Sequence, residues 1–381
     1  LQKVDSLIFI IVGILMLIGA LFSYSLPVYL EHAKHLSEYH FVVRYIGFGI
    51  LGFGIMVLFA KLDPDKWFEK IGWFILITSA ILVIAMPFLP ESVAPIINGA
   101  KRWIKIGPFK FAPVEFFKLG VIFFLSWSFT RKVKKEAIPS LKEEFKLILP
   151  YFIILGGFWY LILAYQSDLG QVMVMGLLFA FMLLIAGGRF QTFTLILAGG
   201  IFVFIAAVLS SGYRYARFKA WLHLMTNNFF PNVTVESKMS YGQVEQSLNA
   251  IYHGGIIGQG IGNGIFKLGF LSDVHTDFVL AGIAEETGII GISVIVILML
   301  ALVYRIYKIA NRNEKKEYQL FAFGVGTLIM IQFIFNGLGV TSLIPIKGLT
   351  VPFLSYGGSS LVALCTAIGM VLMISKKAKL N

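Results

Sequence analysis

Ten apolar runs, separated by short polar breaks, organise the chain. They cover roughly residues 6–29, 41–61, 71–90, 114–130, 148–165, 170–187, 191–210, 277–304, 319–338 and 353–374. A helix of about 20 apolar residues crosses the hydrocarbon core of a bilayer, so each run predicts one transmembrane helix. The breaks carry turn signals: "KLDPDKW" after the second run, "AGGRF" after the sixth and "NRNEKKEY" after the eighth. The pattern predicts an all-α integral membrane protein with one polytopic domain over 1–381. Residues 211–276 are too polar to span. They form one long extracytoplasmic loop between the seventh and eighth helices. Within it, "QVEQSLNAIYH" (243–253) places Val244, Leu248 and Ile251 near one helical face, as in a helix lying on a membrane surface. The following "GGIIGQGIGNG" (254–264) reads as a flexible re-entrant turn more readily than as a phosphate cradle, because no strand precedes it.

Composition agrees. The 381 residues are 58% hydrophobic and 14% charged, far from the quarter or so of charged residues usual in soluble domains. Cys365 is the only cysteine, so no intrachain disulfide forms. The first apolar run lacks a small-residue cleavage site and reads as a retained helix rather than a signal peptide. A net charge of +12 reads as loop charge that sets orientation, not as a nucleic-acid footprint. With both termini cytoplasmic, 19 of the 32 Lys and Arg lie on the cytoplasmic side, mainly in "RKVKKEAIPSLKEEFK" (131–146) and the tail "SKKAKL". The outer remainder clusters in "GAKRWIKIGPFK" (99–110), at Lys118 and in "YRYARFK" (213–219). Basic residues against the trend suit an anionic ligand, or lipid head groups, on the outer face.

Ionisable residues inside or beside apolar runs narrow the search, since they are costly there. In "LSDVHTDFVLAGIAEETGIIG" (271–291) three carboxylates fall within the eighth run. Asp277, at the mouth of the eighth run, suits a general base or a cation ligand, although Asp273 or Thr276 is placed to cap a helix there. Glu285 and Glu286 fall two turns deeper on a continuous helix, too far for a carboxylate pair with Asp277. At least one should meet a cation and hold the bundle together. Arg102 suits phosphate and Trp103 an interfacial anchor. Glu115 and Lys118, three apart, read as a local ion pair or as a lysine kept for substrate phosphate. Asp168 in "YQSDLGQ" reads as a helix cap, and Arg44 as snorkelling or facing a cavity. "IPIKGLTVPFLSYGGSS" (344–360) combines Lys347 with helix breakers, which membrane proteins tolerate where the backbone lines a cavity. His32 and His35 have helical spacing for a metal but no further ligand beside them.

Four stretches in order resemble the FtsW/RodA (SEDS) membrane proteins of bacterial cell-wall synthesis: "NGAKRWIKIGPFKFAPVEFFKLG" (98–120), "QSDLGQ" (166–171), "QSLNAIYHGGIIGQGIGNGIFKLGFLSDVHTDFVLAGIAEETG" (246–288) and "NGLGVTSLIPIKGLTVPFLSYGGSS" (336–360). "KGLT" and "NGAKRW" lean toward the FtsW branch. The resemblance implies ten transmembrane helices in the bacterial cytoplasmic membrane and a peptidoglycan glycosyltransferase that polymerises lipid II. It also implies a class B penicillin-binding protein, an FtsI-like transpeptidase, as partner, with other divisome proteins around it. It places the essential acid on Asp277, the basic and aromatic cavity residues on Arg102, Trp103 and Lys118, and a polar Asp on Asp168. Ala112, Val114, Ser167, Gly264 and the pair Ser272–Asp273 depart from the usual family residues.

On this reading Asp277 takes the proton from an acceptor sugar hydroxyl, and Arg102, Lys118 and Lys347, with Arg214 or Arg217, surround the leaving diphosphate. No organic cofactor is expected. A divalent cation, Mg or Mn, held by Asp277 would do similar work. A RodA-type elongation polymerase, a lipid II flippase and a silent scaffold for a transpeptidase are the competing readings. The outer position of the charges favours chemistry at the outer face over transport.

Overall fold

A computed structural model describes residues 4–97, 99–107, 109–133, 140–210, 212–229, 242–345 and 348–378. Among the described residues, ten helices are long and apolar enough to cross a membrane: α1 (Ser6–Ser25), α3 (His40–Lys61), α4 (Pro64–Ala85), α5 (Pro113–Lys132), α6 (Leu141–Tyr165), α7 (Leu169–Ala186), α8 (Phe190–Leu209), α11 (Val279–Arg312), α12 (Lys316–Val340) and α13 (Gly358–Ser375). Between them lie α2 (Val28–Ala33), a hairpin of β1 (Ile104–Ile106) and β2 (Phe109–Phe111), α9 (Gly212–Phe229) and α10 (Gly242–Gly254). The 211–276 loop thus carries two helices, α10 over the stretch expected to be helical. α13, α5 and α12 form the centre of the bundle and α8 its rim: 89%, 78% and 67% of their apolar windows are buried, against 17% for α8.

Local chemistry moved the helix ends away from the ends of the apolar runs. Pro27 follows the C-cap of α1, which stops at Ser25 rather than near residue 29. Asp63 accepts from the Asp65 amide and Pro64 opens α4, so that helix starts seven residues before its apolar run, and a 3₁₀ turn with Pro87 ends it. Ser140 caps α6, which begins at Leu141 rather than 148 and carries Pro150 inside. α8 has no side-chain cap of its own. The fully buried Glu144 of α6 supplies one, accepting the Arg189 amide at 2.9 Å and the Thr192 hydroxyl at 2.5 Å.

The largest correction concerns α11. It is not continuous: Gly288 has φ 66° and ψ −167°. In an unbroken helix the amides of residues 289 and 290 would donate to the carbonyls of 285 and 286. Instead Ile289 donates to Gly255 O (3.0 Å) and Ile290 to Ile256 O (3.2 Å), while the Glu285 and Glu286 carbonyls accept from Gln259 and Gly260 (3.0 Å each). Segment 255–260 therefore splints the break and satisfies all four groups it opens. This approach needs glycine. A Cβ on Gly288 would lie 2.4 Å from the Ile256 carbonyl oxygen, and one on Gly258, also at positive φ, 2.3 Å from that of Glu286. The glycine run is thus neither a loose turn nor a phosphate cradle. Its amides serve the helix and its carboxylates. Residues 289–312 alone reach roughly 36 Å, enough to cross the bilayer, so 279–287 form a separate buried arm outside that span.

Ten crossings place the termini on one face, the terminal face, and the hairpin and long loop on the other, the loop face. The terminal face is closed by Arg305–Asp5 (2.5 Å) and by Asp65 with Lys315 (2.6 Å) and Lys377 (2.8 Å).

Candidate active site on the loop face

The site is built where the hairpin, the α6–α7 turn, the arm before α11 and the linker 348–357 meet. Asp277, half-buried, ends a run of turns that precedes the arm. No side chain caps that helix start. Phe278 occupies the cap, and the Asp273 carbonyl accepts from Thr276 and Phe278. The buried Asn336 of α12 donates from Nδ2 to the Asp277 carbonyl (2.7 Å) and the Leu349 carbonyl (2.8 Å). One side chain thus clamps the Asp277 segment to the linker. Gly348 lies against the carboxylate: a Cβ there would come within 2.9 Å of Asp277 Oδ2. Ser355 extends the clamp, its hydroxyl donating to the Thr276 carbonyl at 2.6 Å, and the Tyr356 amide donates to the His275 carbonyl at 2.9 Å.

The linker is held in a costly conformation. Phe353, 2% exposed, has φ 62°, a region a bulky side chain seldom enters. Its carbonyl accepts from the buried Tyr45 hydroxyl. Further on, Ser360 Oγ meets Thr350 Oγ1 at 3.0 Å, while Ser359 Oγ accepts the Ala112 amide at 2.9 Å and donates to the Lys110 carbonyl at 3.2 Å. The linker and the start of α13 therefore join the Asp277 segment to the basic hairpin. Arg44 of α3 reaches the same place, its guanidinium beside the Tyr356 hydroxyl.

A second group lies across α5 and the α6–α7 turn. Asp168 caps α7 through the Gln171 amide (3.1 Å). Arg102 donates to the Gln166 and Ser167 carbonyls (2.9 Å each) and lies 3.6 Å from Asp168 Oδ2. Gln171 Nε2 donates to Glu115 Oε1 (2.9 Å), and Lys118 Nζ is 2.9 Å from Glu115 Oε2. Burial pushes the Asp168 carboxyl up, against the pull of the Arg102 guanidinium. Lys118 is 1% exposed. Its approach to Glu115 falls outside hydrogen-bonding alignment, so the contact is one of charge and the three ammonium donors keep capacity for another acceptor. Trp103 is half-buried, with Lys110 Nζ 6.0 Å above its ring. Arg102, Glu115, Lys118 and Asp168 thus form one group, and Asp277 belongs to the neighbouring one built on Asn336 and the linker. Lys347 lies outside the described residues, as do the side chains of Arg214 and Arg217 on α9.

Glu285 and Glu286 do not share the site. Glu286, 1% exposed, meets Lys267 Nζ at 2.7 Å, the Ser25 hydroxyl at 2.7 Å and the Gly262 amide at 3.0 Å. Glu285 accepts the Ile265 amide at 2.7 Å and lies 3.1 Å from His253 Nδ1. Only Glu286 meets a lysine. Glu285 is held mostly by loop amides. Both fasten the glycine loop to the arm that leads back to Asp277.

Sequence reasoning passed over Asn336, Gln171 and His275. Asn336 had a signal, an amide inside an apolar run. His275 is buried between Phe41 and Tyr356, at ring distances of 5.2 and 6.0 Å. Burial pushes its imidazole down to about 4 from an ordinary 6.5. The unfolded chain therefore binds more protons between those values. This contribution to stability is complete above pH 6.5 and is lost as pH falls toward 4, about 3 kcal/mol in all. Melting curves across that window should fall more steeply for the wild type than for His275→Gln. Parallel curves would show that the ring is not held neutral.

Among the described residues, no group of three or more His, Cys, Asp or Glu side chains gathers to hold a metal.

The chain is similar to known proteins along its whole length. It is 41% identical to the probable peptidoglycan glycosyltransferase FtsW of Helicobacter pylori, over 98% of this chain and 99% of that one. It is 32% identical to the protein of the same description from Geobacter sulfurreducens, over 99% and 96%. Its fold matches the crystal structure of the rod shape determining protein RodA of Thermus thermophilus with a TM-score of 0.67 and 22% identity, over 100% of this chain and 99% of that one. It also matches a chain from a structure described as a peptidoglycan synthase complex that coordinates polymerization and crosslinking, with a TM-score of 0.73 and 22% identity, over the full length of both. The cell cycle protein family model of FtsW, RodA and SpoVE matches residues 5–380, and with an end-to-end relative at 41% identity the chain belongs to that family.

Proposed function

We propose that the chain is a peptidoglycan glycosyltransferase that polymerises lipid II into β-1,4 glycan strands on the outer face of the cytoplasmic membrane, at the division septum. The loop face is then the outer face and both termini are cytoplasmic. The observation that carries the reading is the placing of Asp277. A half-buried carboxylate stands on the loop face, on a segment whose backbone Asn336 clamps to a linker that reaches the basic hairpin. Full-length similarity to proteins described as FtsW glycosyltransferases supports it.

Asp277 accepts the proton of the acceptor sugar's 4-hydroxyl. The oxygen bonds to the anomeric carbon of the donor as the bond to undecaprenyl diphosphate breaks, and the configuration inverts. The departing diphosphate gains charge, and preorganised cations stabilise it most effectively in a site that excludes water. Lys118, buried and with donors in reserve, and Arg102 would supply this charge, with Lys347, Arg214 and Arg217 as further candidates. Trp103 and Arg44 would border the substrate, and Asp168, 3.6 Å from Arg102, helps to hold it in place. A Mg or Mn ion at Asp277 would add Lewis-acid stabilisation. With a single carboxylate from the chain, it would take its other ligands from phosphate and water, as Mg sites commonly do.

The proposed partner is a class B penicillin-binding protein, an FtsI-like transpeptidase, with other divisome proteins around the pair. The match to a chain of a peptidoglycan synthase complex supports this. Purified protein with that partner should extend labelled lipid II into strands. Lys118→Met should slow extension roughly 10²-fold per folded molecule, the scale of losing one charge-stabilising donor; the rate is normalised to the folded fraction, because the change also strands the buried Glu115 carboxylate and lowers stability. Unchanged extension by Lys118→Met would remove the lysine from the diphosphate site.

A further inference from the structure

The splinting loop has an outward face as well as the inward one that seals α11. Residues 254–266 contain no Asp, Glu, Lys, Arg or His. The next residue, Lys267, is turned inward onto Glu286 and is 4% exposed. Its large outward side chains are apolar: Ile256 is 69% exposed, Ile257 77% and Ile261 55%; the exposed amides of Gln259 and Asn263 are turned onto the chain itself, donating to the His253 and Gln259 carbonyls. Large exposed apolar surfaces mark sites of interaction, and three observations say with what. First, the loop is continuous with the lipid-facing surface. Ile289 and Ile290, both more than half exposed at the start of the membrane-crossing part of α11, donate their amides to Gly255 and Ile256. Second, much of the irregular backbone over 258–266 is satisfied from within the protein. The amides of 258, 259, 260 and 263 donate to carbonyls, and those of 262, 265 and 266 to the carboxylates of Glu286 and Glu285. Non-helical backbone survives near hydrocarbon only when it is satisfied from within the protein, whereas a water-facing loop has no such need. Third, Tyr252, 90% exposed, stands at the loop's start, the kind of aromatic that sits at the level of lipid head groups.

We propose that residues 256–261 are a membrane-embedded edge of the protein, seated in the leaflet on the loop face, with lipid acyl chains as their ligand. The two halves of the loop then have separate tasks. Glycine amides fasten it to α11, and its isoleucines fix the level at which the broken helix, and the arm leading to Asp277, stand in the membrane.

Spin labelling tests this. Cys365 is fully buried and is first replaced by alanine. Ile256→Cys, Ile257→Cys and Ile261→Cys are then labelled one at a time with a nitroxide, in nanodiscs of phosphatidylethanolamine and phosphatidylglycerol. Collision with oxygen, which concentrates in the acyl region, is compared with collision with an aqueous nickel chelate. Ile297→Cys in mid-α11 is the lipid-facing control and Ser37→Cys in the first loop the aqueous one. Using three positions guards against any one variant that fails to fold. The proposal predicts an oxygen-to-nickel ratio several-fold above that at residue 37 and close to that at residue 297. A ratio like that at residue 37 would put the loop in water and overturn the proposal. Shielding from both reagents would overturn it in favour of a protein surface, a second copy of the chain, covering the loop.

Discussion

Asp277→Asn should retain lipid II binding and lose glycan polymerisation by about 10²–10⁴-fold, the usual contribution of a positioned general base. The substitution keeps the shape of the side chain. It also leaves untouched the backbone carbonyl through which Asn336 holds the segment. What disappears is the ability to accept a proton at the moment the acceptor oxygen attacks. The effect should therefore fall on turnover and not on substrate affinity. A loss of affinity with normal turnover at saturation would move Asp277 from the reacting atoms to the binding of the substrate.

The second large effect concerns stability. Lys267→Met removes the cation from Glu286, which is 1% exposed and would keep only the Ser25 hydroxyl and the Gly262 amide. Breaking one side of a buried ion pair typically costs about 3–5 kcal/mol, because the remaining charge is stranded, whereas removing both charges costs far less. The single variant should unfold at clearly lower temperature or denaturant concentration in detergent micelles. Lys267→Met combined with Glu286→Gln should recover much of the loss. The loop and the arm are joined by backbone hydrogen bonds as well as by this pair, so the damage should spread to Asp277 and lower activity in proportion to the folded fraction. Equal stability of the single variant and the wild type would show that the pair does not fasten the loop.

The bilayer made the ten crossings legible, since its thickness sets the length of each apolar run. It did not set their ends. Those depended on single caps and prolines such as Asp63–Pro64 and Pro27, which hydropathy averages away. The break in α11 was beyond local reading. Gly288 sits in an apolar run that reads as continuous, and the segment that fills the break lies about thirty residues upstream. Two adjacent glutamates in that run announced an unusual site, yet their partners, Lys267 and the loop amides, are visible only once the loop is folded back. The site divides in the same way. Asp277, Arg102, Lys118 and Asp168 stood out as charges beside apolar runs. Asn336, which joins two segments through one amide, and His275, a ring packed between two others, depend on contacts that no spacing along the chain encodes.

If this chain joins lipid-linked sugars on its loop face with Asp277 as the base, the strands it makes depend on that carboxylate. Gel separation resolves the strands made from fluorescent lipid II by the purified protein together with the class B transpeptidase proposed as its partner, wild type beside Asp277→Asn. A ladder of long strands from the wild type and none from Asp277→Asn is the predicted result. Equal ladders from both would contradict the role of Asp277, and labelled lipid II crossing the bilayer of vesicles that hold the wild type, with no strands formed, would contradict the polymerase reading in favour of transport.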